Sequence, residues 1–348
     1  MNRRQFIQNT SLGLAAINLS TTFANTPMGV VVHSYWTRWN SKVESKRYPG
    51  FQNAIELLEH CSQIGAGGVQ VGVTGWTSDF VKKIRDRREK MGLYLEGSIA
   101  LPKKPEEVAS FEQDVKNAKE AGAQLLRTVC SGGRRYETFH ALQEFQDFKK
   151  NALDWLQLAE PILRKYKMKL GIENHKDWLA NELATILKQL DSEWIGVTFD
   201  FGNSIALLED PMEVTQTLAP YVMSTHVKDM AVEEYSDGFL LSEVPMGQGI
   251  LDLAGIVSIC KKHNPKVTFN LEMITRDPLE IPCLRQEYWA TFDNLSGKEL
   301  ARTLKMVRKQ KYSSALPRVS GLNAEDKLAL EEKNILQCLD FSKKKLSL

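Results

Sequence analysis

The sequence predicts an α/β chain closed into a (β/α)8 barrel. From Met28 onward, short β-branched or apolar runs alternate strictly with long amphipathic ones, the pattern of parallel strands joined by crossover helices. Eight such runs fall within roughly 250 residues, the strand count and length of an eight-stranded parallel barrel. No Gly-x-Gly-x-x-Gly follows any run to mark the dinucleotide site of an open sheet. The expected strands are 29–35, 68–73, 93–99, 125–130, 169–175, 196–200, 222–228 and 266–274. Helical stretches at 51–64, 106–121, 145–165 and 251–263 lie between them.

The later strands sharpen this reading. Val267, Phe269, Leu271 and Met273 alternate with Thr268, Asn270 and Glu272, and Val197 and Phe199 alternate with Thr198 and Asp200. Ser224, His226 and Lys228 share one face of their strand; Gly171, Glu173 and His175 share one face of theirs, opposite Leu170 and Ile172. Side chains alternate with a period of two along a strand. Each strand therefore sends apolar groups toward the helices and polar groups into the lumen. A purely structural barrel would fill that lumen with branched aliphatics. The stretch 231–248 reads as an insertion after strand seven, a hairpin turning at Ser236-Asp237-Gly238 between Glu234 and Phe239. The barrel is expected over 28–312 and a helical extension over 313–348, with a terminal helix at 325–339. Its Leu328, Leu330, Ile335, Leu336 and Leu339 suit packing across the barrel base or against a second copy in a homodimer.

Composition bounds the function. The 348 residues are 43% hydrophobic and 25% charged, enough for a large core without disulfide staples. Lys+Arg 45 against Asp+Glu 43 leaves no basic excess for a nucleic-acid partner. The five cysteines are odd in number, widely spaced and free of any Cys-x-x-Cys, so neither a structural zinc site nor a full disulfide framework is supported. Residues 1–24 carry Arg3-Arg4, a short apolar run and Thr22-Phe23-Ala24, an export signal of twin-arginine type that directs the chain to the periplasm. The other reading of this segment is an amphipathic helix. No later run is apolar enough to anchor the chain in a bilayer.

Glu173, Asp200, His226 and Glu272 stand at or near the ends of successive strands five to eight. Those ends gather at the C-terminal mouth, where barrel active sites lie. Taken singly, each has an ordinary reading as a salt bridge or helix cap. Together they make an oxygen-rich ligand set for one divalent cation, Mn2+ or Mg2+ in preference to Zn2+ or Co2+. Without a cation, three clustered carboxylates would repel strongly.

These residues stand in GIENH, TFDFGN, THVKD and NLEM, and with the later PMGQG-ILDL stretch they resemble the xylose isomerase-like TIM barrels, within them the sugar isomerase and epimerase branch. The resemblance spans about residues 29–309. It implies a metal-dependent isomerase or epimerase acting on a keto-sugar. The cation would chelate a carbonyl oxygen and the neighbouring hydroxyl, acidify the adjacent C–H and stabilise an enediolate. Glu173 and Glu272 would take and return the proton while also holding the metal, with Asp200 and His226 as ligands only. Export favours an unphosphorylated small-molecule sugar. The same intermediate can expel a β-hydroxyl or alkoxide, so a lyase, dehydratase or hydratase on 3-keto sugars or glycosides is the rival reading. Related ketose epimerases have a histidine where this chain has Asn203, and an arginine where it has Val232. A multi-zinc repair nuclease would need more than the six histidines present. A non-catalytic sugar-binding barrel would have no use for an acid–base pair.

Further substrate contacts are expected from His175, Asn203 and Lys228, from His33 and Trp36 at the end of strand one, and from Glu96 and Arg127 in strands three and four. Lys228 has an alternative partner in Asp229, and Tyr35, Trp39 and Trp76 are further candidates for stacking on a sugar face. Ser131-Gly132-Gly133-Arg134-Arg135 reads as a surface loop rather than a phosphate cradle, and Gly247-Gln248-Gly249 as a turn.

Overall fold

The computed structural model describes residues 27–348 apart from Asn40, Lys42 and Lys311, so the expected export signal lies outside the described residues. Numbered in chain order, β1 (Gly29–Val31), β2 (Gly68–Gly72), β3 (Tyr94–Ser98), β4 (Leu125–Thr128), β5 (Leu170–Glu173), β6 (Ile195–Asp200), β7 (Val222–Val227) and β10 (Thr268–Leu271) close into one parallel barrel. β10 pairs with both β7 and β1, which seals the ring. The alternation of apolar and polar residues is realised as expected. Val69, Val71, Leu95, Ile172, Val197, Phe199 and Leu271 join the helices in one buried core. Gln70, Glu96, Ser224, His226 and Asn270 fill the lumen without exposure.

Most strands are shorter than the sequence suggests at their C-terminal ends. β1 stops at Val31, and Val32–Tyr35 turns as a 3-10 helix. The cause is Ser34, whose Oγ donates to Leu271 O at 2.9 Å and accepts from Met273 N at 3.0 Å. This stitch curls the chain over the mouth, carrying His33 and Trp36 with it. The helices start where a side chain can receive their free N–H groups. Asn53 caps Ala54–Gln63, accepting from Ile55 N and Glu56 N, and Asp252 caps Leu253–His263.

The insertion is the hairpin β8 (Asp229–Tyr235) and β9 (Gly238–Val244), with Glu234 opposite Phe239 as expected. It starts two residues earlier than read from sequence. A third strand, β11 (Leu279–Ile281), pairs antiparallel with β9. Flanked by Pro278 and Pro282, this three-residue strand has no periodic signal of its own.

The terminal helix Ala324–Phe341 packs neither across the base nor on its apolar side chains alone. It lies against the chain that follows β1, β9 and β10. Glu331 accepts from Thr37 N at 2.6 Å and Arg38 N at 3.1 Å. Glu332 pairs with Arg38 and His60, Asn334 donates to Thr275 Oγ1, and Cys338 Sγ accepts from Met246 N. The correction has a simple cause: helical periodicity shows which face is apolar, but its acidic residues chose the docking place. All five cysteines are buried free thiols.

Glu331 is fully buried and holds two backbone N–H groups, so Glu331→Ala should lower the unfolding free energy by about 1–3 kcal/mol, measured by urea titration. Unchanged stability would show that this contact does not fix the helix.

Candidate metal centre and active site

The four strand-end residues converge. Glu173, Asp200, His226 and Glu272 each present one donor atom, and these atoms lie within 4.8 Å of one another. His226 Nδ1 is 3.4 Å from Glu173 Oε2, 3.4 Å from Glu272 Oε2 and 4.0 Å from Asp200 Oδ2. All four are essentially buried. Parallel strands set this geometry: Asp200 on β6 is in register with His226 on β7, and Asn270, two residues before Glu272, is in register with His226 on the other side.

Hydrogen bonds and ion pairs from neighbouring residues hold each donor in place. Asp200 Oδ1 accepts from Gly202 N and Asn203 N, both at 2.9 Å, leaving Oδ2 toward the cluster. Arg127 on β4 grips Glu173, and Asn203 Nδ2 reaches Glu173 Oε1 at 3.1 Å. His33 Nδ1 meets Glu272 Oε1 at 3.0 Å. Lys228 Nζ sits 2.7 Å from both Asp200 Oδ2 and Glu272 Oε2.

The tautomer of His226 is set from below. Glu96 accepts from Gln70 Nε2 at 2.9 Å, Ser224 Oγ at 2.7 Å and Asn270 Nδ2 at 3.1 Å, and also from Thr268. Because Glu96 takes the amide nitrogen of Gln70, Gln70 Oε1 faces His226 Nε2 at 2.7 Å. Nε2 must then keep its proton, so Nδ1, on the side of the carboxylates, is the nitrogen that gives up its proton when the ring serves as a ligand. Nδ1 has no hydrogen-bond partner. A buried orphan nitrogen among three carboxylate oxygens fits a divalent cation, with a carboxamide completing the outer support that metal-bound imidazoles need. Glu96 was expected at the substrate; it lies beneath the cluster and acts through Gln70. Gln70 escaped the sequence reading, although its place between Val69 and Val71 marks it as a lumen residue.

Above the cluster opens a cavity of about 560 Å3, ample for a small ligand. His33, Trp36, Arg127, His175, Asn203 and Lys228 line it, as expected of substrate contacts. Trp36 is 67% exposed and stands at its edge. Three other aromatics do not reach it: Tyr35 and Trp39 pack into the core, and Trp76 packs on Phe80. Lys228 pairs inside the cluster rather than with Asp229, whose carboxylate holds the N–H groups of Gly247, Gly249 and Leu251 and so fixes that turn. Gly132, Gly133 and Arg134 form part of the cavity wall, so that loop is more than surface. Lys176 and Arg276 also line the cavity and were missed, because both follow their strands on irregular loops.

Burial opposes charge on every ligand, yet two glutamates stay ionised. Against that burial, Arg127 and His226 hold Glu173, and Lys228 and His226 hold Glu272, well below the usual carboxylate range. Burial and the two glutamates push Asp200 up to about 6. Burial lowers His226, but Glu272 and Glu173 outweigh it and hold its pKa at about 10. Burial and the neighbouring Lys176 push His175 down to about 3, which keeps it neutral.

Residues 58–291 match the family described as xylose isomerase-like TIM barrel. The chain belongs to this family. A 3-oxo-isoapionate decarboxylase from Pectobacterium atrosepticum is 26% identical over 232 residues, covering 65% of this chain and 78% of the relative. Among solved structures, a D-psicose 3-epimerase crystallised in the presence of D-fructose superposes with a TM-score of 0.60 at 14% identity, covering 92% of this chain and 100% of that one. A xylose isomerase-like TIM barrel protein from Mycobacterium smegmatis in complex with magnesium gives 0.54 at 15% identity, over 80% and 97% of the two chains. These two structures share the fold. As a xylose isomerase-like barrel, the chain keeps its candidate metal donors on the C-terminal ends of its second half.

Two outcomes test the centre. Gln70→Ala should weaken Mn2+ binding by about 10–100-fold without loss of fold, measured by calorimetry. Because a cation must displace the Nδ1 proton of His226, held up to about 10, loading should release protons and metal affinity should rise with pH across the neutral range. An affinity flat from acid to neutral pH would rule out His226 as a ligand.

Proposed function

We propose that this chain is a divalent-metal-dependent sugar isomerase or epimerase that works on an unphosphorylated keto-sugar through an enediolate. One observation carries the reading: two buried glutamates, both held ionised, border the same candidate cation site and the same cavity. A non-catalytic sugar-binding barrel has no need of such a pair. A divalent cation bound by Glu173, Asp200, His226 and Glu272, with Mn2+ or Mg2+ favoured, supplies Lewis-acid polarisation of a carbonyl and its neighbouring hydroxyl.

The residues of the chain do the rest. One glutamate removes the proton from the carbon beside the carbonyl; the C–H electron pair becomes the C=C bond and the carbonyl π pair moves onto oxygen to give the enediolate. The other, after taking a proton from solvent, returns it to the opposite face, which inverts that centre; return of the proton to the neighbouring carbon, with the hydroxyl proton passing to the former carbonyl oxygen, moves the carbonyl. Lys228 places a positive charge beside Asp200 and Glu272, where it restrains the carboxylates and lowers the cost of negative charge on the substrate. His33 and Arg127 keep the two glutamates aimed.

A second reading uses the same parts. Val232 is fully buried in the hairpin's own core and cannot reach a ligand, while five basic side chains, Arg127, Arg134, Lys176, Lys228 and Arg276, line the cavity. The 26% identical relative is named as a decarboxylase of a 3-oxo sugar acid. In such a reaction the bond to the carboxylate breaks, CO2 leaves, its bonding pair forms the C=C bond of the same enediolate, and a proton drawn from solvent reaches carbon through a glutamate. Export through the Arg3-Arg4 segment to the periplasm, and pairing as a homodimer, remain part of the proposal.

Turnover in D2O separates these outcomes. Solvent deuterium in an isomeric product supports isomerisation or epimerisation; loss of CO2, water or an aglycone supports the second reading. Glu173→Gln and Glu272→Gln should each retain fold and ligand affinity yet slow exchange about 100- to 10,000-fold. Full exchange in both variants would remove the acid–base assignment.

A further inference from the structure

Of the five basic residues in the cavity wall, four are spent on carboxylates of the chain itself, Arg134 on Glu137 among them. Arg127 grips Glu173, Lys228 bridges Asp200 and Glu272, and Arg276 pairs with Glu243, its Nε 3.1 Å from Oε2. Lys176 is the exception. Its side chain is 3% exposed and lines the cavity, yet among the described residues it forms no ion pair. Among the described residues its ammonium makes one hydrogen bond, to Asn203 Oδ1, an amide oxygen, which leaves two of its three N–H groups unused. Asn203 in turn donates to Glu173 Oε1 at 3.1 Å, so Lys176 is coupled to the candidate base through one side chain.

A buried ammonium without a counter-charge is costly. Burial and the nearby charges of Lys228 and Arg276 work against its ionised form and outweigh the more distant carboxylates of Asp200 and Glu243, bringing it down to about 8, so it is still mostly charged at neutral pH. His175 beside it is neutral and has an unpartnered Nδ1, so it neither balances the charge nor adds to it. The cavity wall thus carries an ammonium with no carboxylate in contact, the nearby Asp200 and Glu243 being paired with Lys228 and Arg276, and its natural complement is an anion on the ligand.

We propose that Lys176 binds the carboxylate of the substrate, making the ligand of this site a sugar acid rather than a neutral sugar. The ammonium pairs with one carboxylate oxygen, and Asn203 holds Nζ at the height of Glu173. This inference rests on the reading of the cavity as the active site, but not on which reaction follows. A carboxylate so held is retained through an isomerisation and lost in a decarboxylation.

L-Threonate and its neutral counterpart threitol, neither of which has a carbonyl to react, provide the test. Their binding to the full chain is measured by titration calorimetry with and without Mn2+, for the wild type, Lys176→Met and Lys176→Arg. Wild type should bind threonate about 10- to 100-fold more tightly than threitol. Lys176→Met should lose that preference in both metal states, Lys176→Arg should keep part of it, and threitol affinity should stay the same throughout. A purely structural lysine predicts that Lys176→Met melts lower; removal of an unpaired buried charge predicts an unchanged or higher melting temperature. Equal threonate affinity in wild type and Lys176→Met, or a lower melting temperature with parallel loss of threitol binding, would overturn the proposal. The functional reading fails separately: wild type that prefers threonate through Lys176, yet exchanges no proton with any keto-sugar or keto-sugar acid and releases no CO2, retains the anion site and loses the enzyme assignment.

Discussion

Three nearly buried carboxylates converge within 4.8 Å at the floor of the cavity, and the rest of the site answers that repulsion. At such a separation each like-charged pair repels by about 3–4 kcal/mol at an effective dielectric of 20. Left alone, the cluster would cost as much as a domain's whole margin of stability, about 5–15 kcal/mol. The chain supplies Arg127 and Lys228 as partial compensation and places His226 Nδ1 in the middle. This arrangement keeps Glu173 and Glu272 ionised at neutral pH, which a proton-abstracting group requires, while Asp200 carries the strain of the shared field.

The barrel interior beneath the cluster is polar because it has a direction to impose. Glu96, Gln70, Ser224 and Asn270 satisfy one another without exposure, and Tyr94 Oη fixes Asn270 by donating to its Oδ1 at 3.0 Å. Gly29 makes room for that hydroxyl, since a Cβ there would overlap it. A fully connected network of this kind is rigid, and a half-satisfied one would be worse than an apolar filling. Its output is a single orientation of the His226 ring.

The mouth is held from the other side by the C-terminal helix. Glu331 and Glu332 fasten the turn after β1, and Asn334 fastens Thr275 beside Arg276. His33 and Trp36 thus rest on a segment braced by residues nearly 300 positions away in sequence, and the cavity wall owes its shape to the extension as well as to the barrel.

Strand order, barrel closure and the four candidate metal donors were legible in the sequence, because a two-residue period in Val197–Asp200 or Thr268–Glu272 assigns every side chain to one face. The hairpin turn was legible from the turn residues Ser236-Asp237-Gly238. Contacts between distant segments were not. Glu96 looked like a pocket residue because its face was right, but only the closed barrel shows at what height it sits. Lys228 had an adjacent partner in Asp229, and the fold chose Asp200 and Glu272 instead. Lys176 lies on a loop without period, and its missing counter-ion becomes visible only when every neighbour is in place. Local chemistry and periodicity determined which residues enter the lumen; the folding of eight strands into a ring decided their depth, their partners and their charge balance, since those depend on distances that no local pattern encodes.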